Sequence, residues 1–290
     1  MPASDEAESA SDPPSFHSVG DGRGVLYPTR LPEFHRVQAP ADLSALVRWF
    51  WVPSWDIAPG RTLRQTILPF PASNLVVDAE QVMFHGPTTG VSHRDLQGRG
   101  WAVGALLRPA ASAALGLVPG DVIDRSMEWD ARPLRESVAE VMSARVWPPG
   151  DGSSVEASLP RHEAAARVFV EWIRRAASPI CKAGLRANQL EALVAKDHSA
   201  ISVSQLADRM GYSVRSIQRL SRDHIGLPPL AVIRRYRLQE ASQRLREDPE
   251  LTVGQVAVQL GYADHAHLDA DFRSVLGFSP SHYRSGGPLP

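Results

Sequence analysis

Between positions 25 and about 130, apolar residues come in short runs, at 47–52, 62–68, 75–77, 82–84 and 101–107, each cut off by Pro or Gly. Runs of this length with such punctuation predict a β-rich domain. The period then changes. Stretches at 133–145, 161–177 and 186–196 carry apolar residues at helical spacing, with a Pro/Gly/Ser-rich break at 148–154, and predict a helical connector. From 199 onward the helical period continues in shorter pieces. Ahead of all this, residues 1–24 hold Ser, Asp, Pro and Gly with few apolar positions, too few to offset the entropy of ordering, which predicts a disordered tail. The expected organisation is α+β: a tail at 1–24, a β-rich domain at 25–130, a helical connector at 131–198 and an all-α domain at 199–287.

Sliding the last segment against itself exposes a repeat. Gln205 falls on Gln255, Ala207 on Ala257, and Gly211-Tyr212 on Gly261-Tyr262, an offset of 50 positions. Each copy runs on to a Gly and a Pro, at Gly226 and Pro229 in the first and at Gly277 and Pro280 in the second. Within a copy, Leu206, Ala207 and Met210 (or Val256, Ala257 and Leu260) mark the buried side of a short helix, and glycine permits the tight turn that follows. Ser213 and Asp264 are suited to cap the next helix, whose buried stripe is Ile217 and Leu220, or Leu268 and Phe272. The unit reads as helix, Gly-containing turn, helix, twice over. In such units the second helix lies in the DNA major groove.

Charge sharpens this reading. The whole chain carries a net charge of −1, but 200–246 holds nine Arg against three acids while 247–290 holds two Arg against six. In the first unit Arg215, Ser216, Gln218, Arg219 and Arg222 stand outside the buried stripe; Arg pairs with guanine O6/N7 and Gln with adenine N6/N7. A solvated polar face is the alternative. Residues 230–246, entered through Pro228-Pro229, predict a helix about 26 Å long that separates two reading helices by roughly one DNA turn, with Leu230 on its buried side and Arg234, Arg235 and Arg237 exposed or partly so.

The stretch from about 199 to 286 resembles the DNA-binding domain of AraC/XylS-type transcription regulators, through Gln205-Leu-Ala207, Gly211-Tyr-Ser213, Ile217-Gln-Arg219, Gly226-Leu-Pro-Pro229, Gly261-Tyr262, Phe272-Arg273, Gly277-Phe-Ser-Pro280 and Tyr283-Arg284. The resemblance implies seven helices, engagement of bipartite promoter DNA and control of transcription. It places Arg215, Gln218 and Arg219 against bases, with His265, Ala266 and Asp269 on the matching face of the second unit and Arg273 beside them. Two departures stand out. Ser221 occupies a position usually aromatic, which predicts a looser first core. Ala270 stands where the family usually carries Arg, between the carboxylates of Asp269 and Asp271, which predicts that the first unit supplies most of the affinity.

The stretch from about 27 to 129 resembles, less closely, the cupin-like sensor domains attached to some of these regulators, through Leu46-Val-Arg-Trp-Phe-Trp51, His85-Gly-Pro87 and Val103-Gly-Ala-Leu-Leu-Arg-Pro109. That implies a small effector or a homodimer contact, and RNA polymerase as a further partner if the protein activates. Trp49, Trp51, Phe70, Phe84 and Trp101 are the candidate effector-binding set, although aromatics at strand spacing more often form plain core.

Other classes find less support. Glu33, His35, His85 and His93 raise a metal-binding cupin-like enzyme, but no HxH pair lies in that half, and the pair His265 and His267 is two positions apart on a predicted helix, facing different sides. No GxSxG, Walker or GxGxxG motif appears, and the single Cys181 makes neither disulfide nor CxxC site. No enzyme activity, cofactor or metal is expected. The absence of a long apolar run and the acidic N-terminus predict a cytoplasmic protein with no membrane partner. A helical protein-interaction module remains the other alternative.

Overall fold

The computed structural model describes residues 33–144, 160–196 and 202–285. The predicted tail at 1–24 and the break at 148–154 lie outside the described residues. Strands β1 (Glu33–Gln38), β2 (Val47–Asp56), β3 (Leu63–Ile67), β4 (Asn74–Val77), β5 (Val82–His85), β6 (Ser92–Leu96), β7 (Arg99–Trp101), β8 (Val103–Leu107) and β9 (Ser126–Glu128) make the N-terminal half β-rich, with α1 (Pro109–Ala114) between β8 and β9. The main sheet runs β1-β2-β8-β4-β5-β9, with β7 pairing the outer end of β2, while β3 and β6 form a separate antiparallel pair. The apolar run at 101–107 thus splits into two strands.

Helices α2 (Arg132–Ser143), α3 (Arg161–Ala176) and α4 (Lys182–Lys196) follow, then α5 (Val203–Met210), α6 (Val214–His224), α7 (Pro229–Glu247), α8 (Val253–Gln259), α9 (His265–Leu276) and α10 (Pro280–Arg284). Among the described residues, no helix is long and apolar enough to cross a membrane.

Both faces of the sheet are covered. Strand alternation sends Phe50 and Val52 of β2 into a core closed by Leu134 and Val138 of α2 and by Phe169 and Ile173 of α3. A register shift between Val47 and Trp49 brings Trp49 to the opposite face. There Trp49, Phe70 and Leu106 pack with Leu190 of α4, Leu206 of α5, Ile217 of α6 and Tyr236 of α7. The first repeated unit therefore shares its core with the back of the sheet. The second builds around Val256, Leu268, Phe272 and Tyr283, joined by Leu68 from the β half.

Polar links reinforce the packing between the halves. Ser112 Oγ donates to the His224 carbonyl at 2.9 Å, Gln239 Nε2 donates to the Pro69 carbonyl at 3.0 Å, and Arg235 donates to the Thr89 carbonyl. Gly226, just past α6, sits at φ +87° with Pro119 and Gly120 so near that a Cβ would lie 2.8 Å from the Pro119 carbonyl carbon. Gly226→Ala is expected to cost about 1–3 kcal/mol from the left-handed backbone alone, with the clash added. Gly211→Ala, at φ +68° with nothing within 4 Å, supplies the backbone cost without the clash. Equal losses in urea unfolding would show that this contact between the halves is not held in solution.

Candidate nucleic-acid interface

In the first unit, α5 starts with a capping box: Ser202 accepts from the Gln205 amide, and Gln205 Oε1 accepts from the Ser202 amide. Gly211 closes it in the left-handed region at φ 68°. Ser213 then caps α6 by accepting from the Ser216 amide at 3.2 Å. Ile217 and Ser221 turn inward, and Arg215, Gln218, Arg219 and Arg222 turn out and are exposed. These four recur at i, i+3, i+4 and i+7, one stripe along the helix. Ser216 is half-buried, its hydroxyl 2.9 Å from that of Ser213, so it is partly committed to the cap. Among the described residues, no carboxylate pairs with Arg215, Arg219 or Arg222.

At Ser221, where a looser core was expected, the side chain has a specific partner. Ser221 is fully buried and its hydroxyl donates to the Leu227 carbonyl at 2.7 Å, tying the last turn of α6 to the loop that follows. A buried carbonyl acquires a partner that a phenyl side chain could not supply.

The second unit repeats the construction. Thr252 and Gln255 form the capping box of α8, and Asp264 caps α9 by accepting from the His267 amide at 2.8 Å. His265, Ala266, Ala270 and Arg273 are exposed, while Asp269 is half-buried. Arg273 Nε donates to Asp269 Oδ2 at 2.7 Å, so one charge on this face is already engaged by another.

Asp271 is a correction. Its carboxylate is not presented beside Asp269 on the outer face but buried, accepting from the Tyr262 hydroxyl at 3.0 Å, with Arg234 Nη2 at 3.3 Å. Burial and the adjoining carboxylate push the Tyr262 hydroxyl well above its ordinary range, so it stays a donor. The acidic objection to the second reading helix thus falls to Asp269 alone. Asp271→Ala would leave Tyr262 and Arg234 without their acceptor. Breaking such a buried charged network costs about 3 kcal/mol or more, and a chemical-denaturation midpoint unchanged from wild type would contradict the arrangement.

Helix α7 also departs from expectation. Arg235 and Arg237 are buried, not exposed, and Leu230 is 47% exposed. The Arg237 guanidinium lies 3.8 Å from the centre of the Tyr262 ring, with Nε donating to the Leu260 carbonyl at 2.8 Å. These arginines hold the second unit and the β half against α7, which removes them from any phosphate-facing set.

The candidate effector aromatics do not gather in one pocket. Trp49 and Phe70 lie in the core shared with the first unit, Phe84 lies in the core on the other face, and the Trp51 indole donates to Asn74 Oδ1 at 3.0 Å. Trp101 alone of the five lines the 510 Å³ cavity, which opens at the end of the α3-covered face. Of the others, Phe84 packs on the opposite side of the sheet from Trp49, Trp51 and Phe70.

Nor do the histidines of the β half converge. His35 bonds to Glu33, His93 to Thr66, and His85 lies beside Arg94, with burial and Arg94 lowering it to about 4. Among the described residues, no group of three or more His, Cys, Asp or Glu is placed to hold a metal ion.

One buried centre has no signal along the chain. Glu191 of α4 is fully buried, accepting from the Tyr236 hydroxyl at 2.8 Å, with Arg48 Nη2 at 2.9 Å and Arg108 Nη1 at 3.7 Å. It joins the sheet, α4 and α7. A glutamate within a helix ordinarily signals a solvated face, so the sequence carries no local mark of it.

Comparison with known proteins agrees with the repeat. Residues 206–286 match the family model described as a helix-turn-helix domain, and residues 35–127 match a domain of unknown function. The HTH-type transcriptional activator RhaS of Escherichia fergusonii is 37% identical over 93 residues, 31% of this chain and 33% of that protein. A putative AraC-like transcription regulator of Streptomyces lividans is 27% identical over 128 residues, 44% of this chain and 40% of that one. The chain spans between a third and two fifths of the length of these relatives. The crystal structure of ToxT from Vibrio cholerae O395 aligns over 81% of this chain and 97% of its own, at 13% identity and a TM-score of 0.43.

Proposed function

We propose that this chain, whose C-terminal residues form an AraC/XylS-type helix-turn-helix domain, is a sequence-specific DNA-binding regulator of transcription. The observation that carries the reading is the α6 stripe of Arg215, Gln218, Arg219 and Arg222, exposed and, among the described residues, unpaired with acids, on a capped helix that follows a glycine turn. Arg215, Gln218 and Arg219 read bases; Ser216 and Arg222 support them towards phosphate. His265, Ala266, Asp269 and Arg273 face a second major groove, with weaker contacts because Arg273 is tied to Asp269. Helix α7, 19 residues and therefore about 28 Å long, spaces the two reading helices. The partners are promoter DNA and, where the protein activates, RNA polymerase, in the cytoplasm. The β-rich half serves as the effector-responsive part and as the site of any homodimer contact.

A titration of duplex DNA at rising salt tests the reading. Each phosphate neutralised adds about −0.9 to the slope of log affinity against log salt, so contacts by several Arg predict a steep fall. Salt-insensitive binding, or no binding, would favour a helical module that docks protein.

A further inference from the structure

We infer that the outward side of helix α4 belongs to the DNA interface, and that Arg186 on it grips a backbone phosphate bordering the first half-site. The inference rests on the regulator reading above and extends it to a helix that lies ahead of both repeated units. Along α4, Lys182, Arg186, Gln189 and Lys196 are exposed and recur at i, i+4, i+7 and i+14, one side of a helix about 22 Å long. The helix carries a single acid, Glu191, and that one is buried in the network with Arg48 and Tyr236. The exposed side therefore has one sign of charge.

Neighbouring helices show the ordinary solvated pattern. On α3, Arg174 pairs with Glu171 and Asp42, and on α2, Arg135 pairs with Glu136. On α4, among the described residues, no carboxylate pairs with Lys182 or Arg186. Like charges one helical turn apart repel each other. A polyanion laid along this side relieves that repulsion.

The position of Arg186 points to the phosphate strand. Its guanidinium carbon lies 5.7 Å from the centre of the Tyr212 ring. Tyr212 stands between Gly211, which closes α5, and Ser213, which caps α6, so the cation sits at the entry of the first reading helix. A helix that reads bases with its N-terminal residues brings this end to the major groove, a channel about 12 Å wide walled by phosphates. A group beside the entry, on a different helix, meets that wall and not the base edges. Stacking on a ring leaves the in-plane N–H groups of a guanidinium free for phosphate oxygens. The inner side of α4 fixes this orientation. Asn188 Oδ1 accepts from the Ala110 amide at 2.9 Å, Asn188 Nδ2 donates to the Ala45 carbonyl at 2.7 Å, and a Cβ on Gly184 would lie 3.0 Å from the Ala110 Cα. The β half thus sets, through α1 and α4, where a DNA contact stands.

The test is fluorescence anisotropy of the full chain over a salt series, on a labelled duplex that the chain recovers from a random library and on a shuffled version of it. Arg186→Ala is expected to weaken binding to both duplexes by the same factor and to make the slope of log affinity against log salt shallower by about 0.9. Its deficit against wild type then shrinks about 3- to 4-fold between about 50 and 200 mM salt. Arg186→Lys keeps the charge and should keep the wild-type slope, and both variants should keep the wild-type unfolding midpoint because the side chain is exposed. Unchanged affinity and slope in the alanine variant would overturn the inference, and so would a loss confined to the recovered duplex, which would make Arg186 a base reader. A loss at wild-type slope, or a lysine variant whose slope falls with that of alanine, would reduce the stack on Tyr212 to a structural contact and overturn it likewise. A wild-type chain that recovers and binds no DNA at any salt would sink the regulator reading itself, and this inference with it, before any variant is compared.

Discussion

Arg219→Ala is expected to weaken binding to a cognate duplex by roughly 5- to 150-fold, the loss of about 1–3 kcal/mol that accompanies a bidentate base contact. Arg219 is exposed on the outer stripe of α6, and no acid among the described residues holds it, so the substitution removes a reading group without disturbing the core formed by Ile217 and Ser221. Arg273→Ala should cost far less. Its guanidinium already donates to Asp269 at 2.7 Å, and an exposed pair of this kind is worth about 0–1 kcal/mol. Fluorescence anisotropy with a labelled duplex reads both. Equal losses would mean that the two units contribute alike.

Glu191→Ala is expected to be the most damaging single change to stability, costing about 3–5 kcal/mol. The carboxylate is fully buried, and its removal takes the countercharge 2.9 Å from the Arg48 guanidinium, whose side chain is only 12% exposed, and the acceptor of the Tyr236 hydroxyl. Glu191→Gln keeps an acceptor for Tyr236 and loses only the charge, so it should fall between wild type and the alanine variant. Urea unfolding measures both. Because the network links β2, α4 and α7, the transition should stay single and move as one; a loss in the alanine variant under about 1 kcal/mol would show that the linkage is not made.

What the sequence disclosed was local in origin. Ser213 and Asp264 could be recognised as caps because the cap is made within three residues, and Gly211 as a turn because its positive φ is a property of one position. The repeat was legible for the same reason: each copy spells out its own helix, turn and cap. The strands missed, β1, β6 and β9, carry Glu33, His35 and Arg36, or His93, Arg94 and Asp95, or Glu128, with too few apolar residues to form a run. They lie at or near sheet margins, where polar residues protect an edge. Helix α1 is a short run of Ala and Ser after Pro109, with no amphipathic period to detect.

The burial of charged groups was illegible because tertiary partners decide it. Arg235, Arg237, Glu191 and Asp271 look like ordinary surface residues of helices, and only the arrival of Thr89, Leu260, Arg48 or Tyr262 accounts for their burial. The aromatics follow the plain-core reading where they are buried: a sheet has two faces, and Trp49 packs into the core on one while Phe84 packs into the core on the other.

Selection from a library of random duplexes by the full chain, at moderate salt and with excess non-specific competitor, tests the central claim most directly. The α6 stripe predicts enrichment of a defined half-site, with a second, less constrained half-site about one helical turn away, and loss of base preference at one or two positions in the Arg219→Ala selection. Fragments enriched without a shared motif, or the same motif from both proteins, would contradict the assignment of base reading to α6.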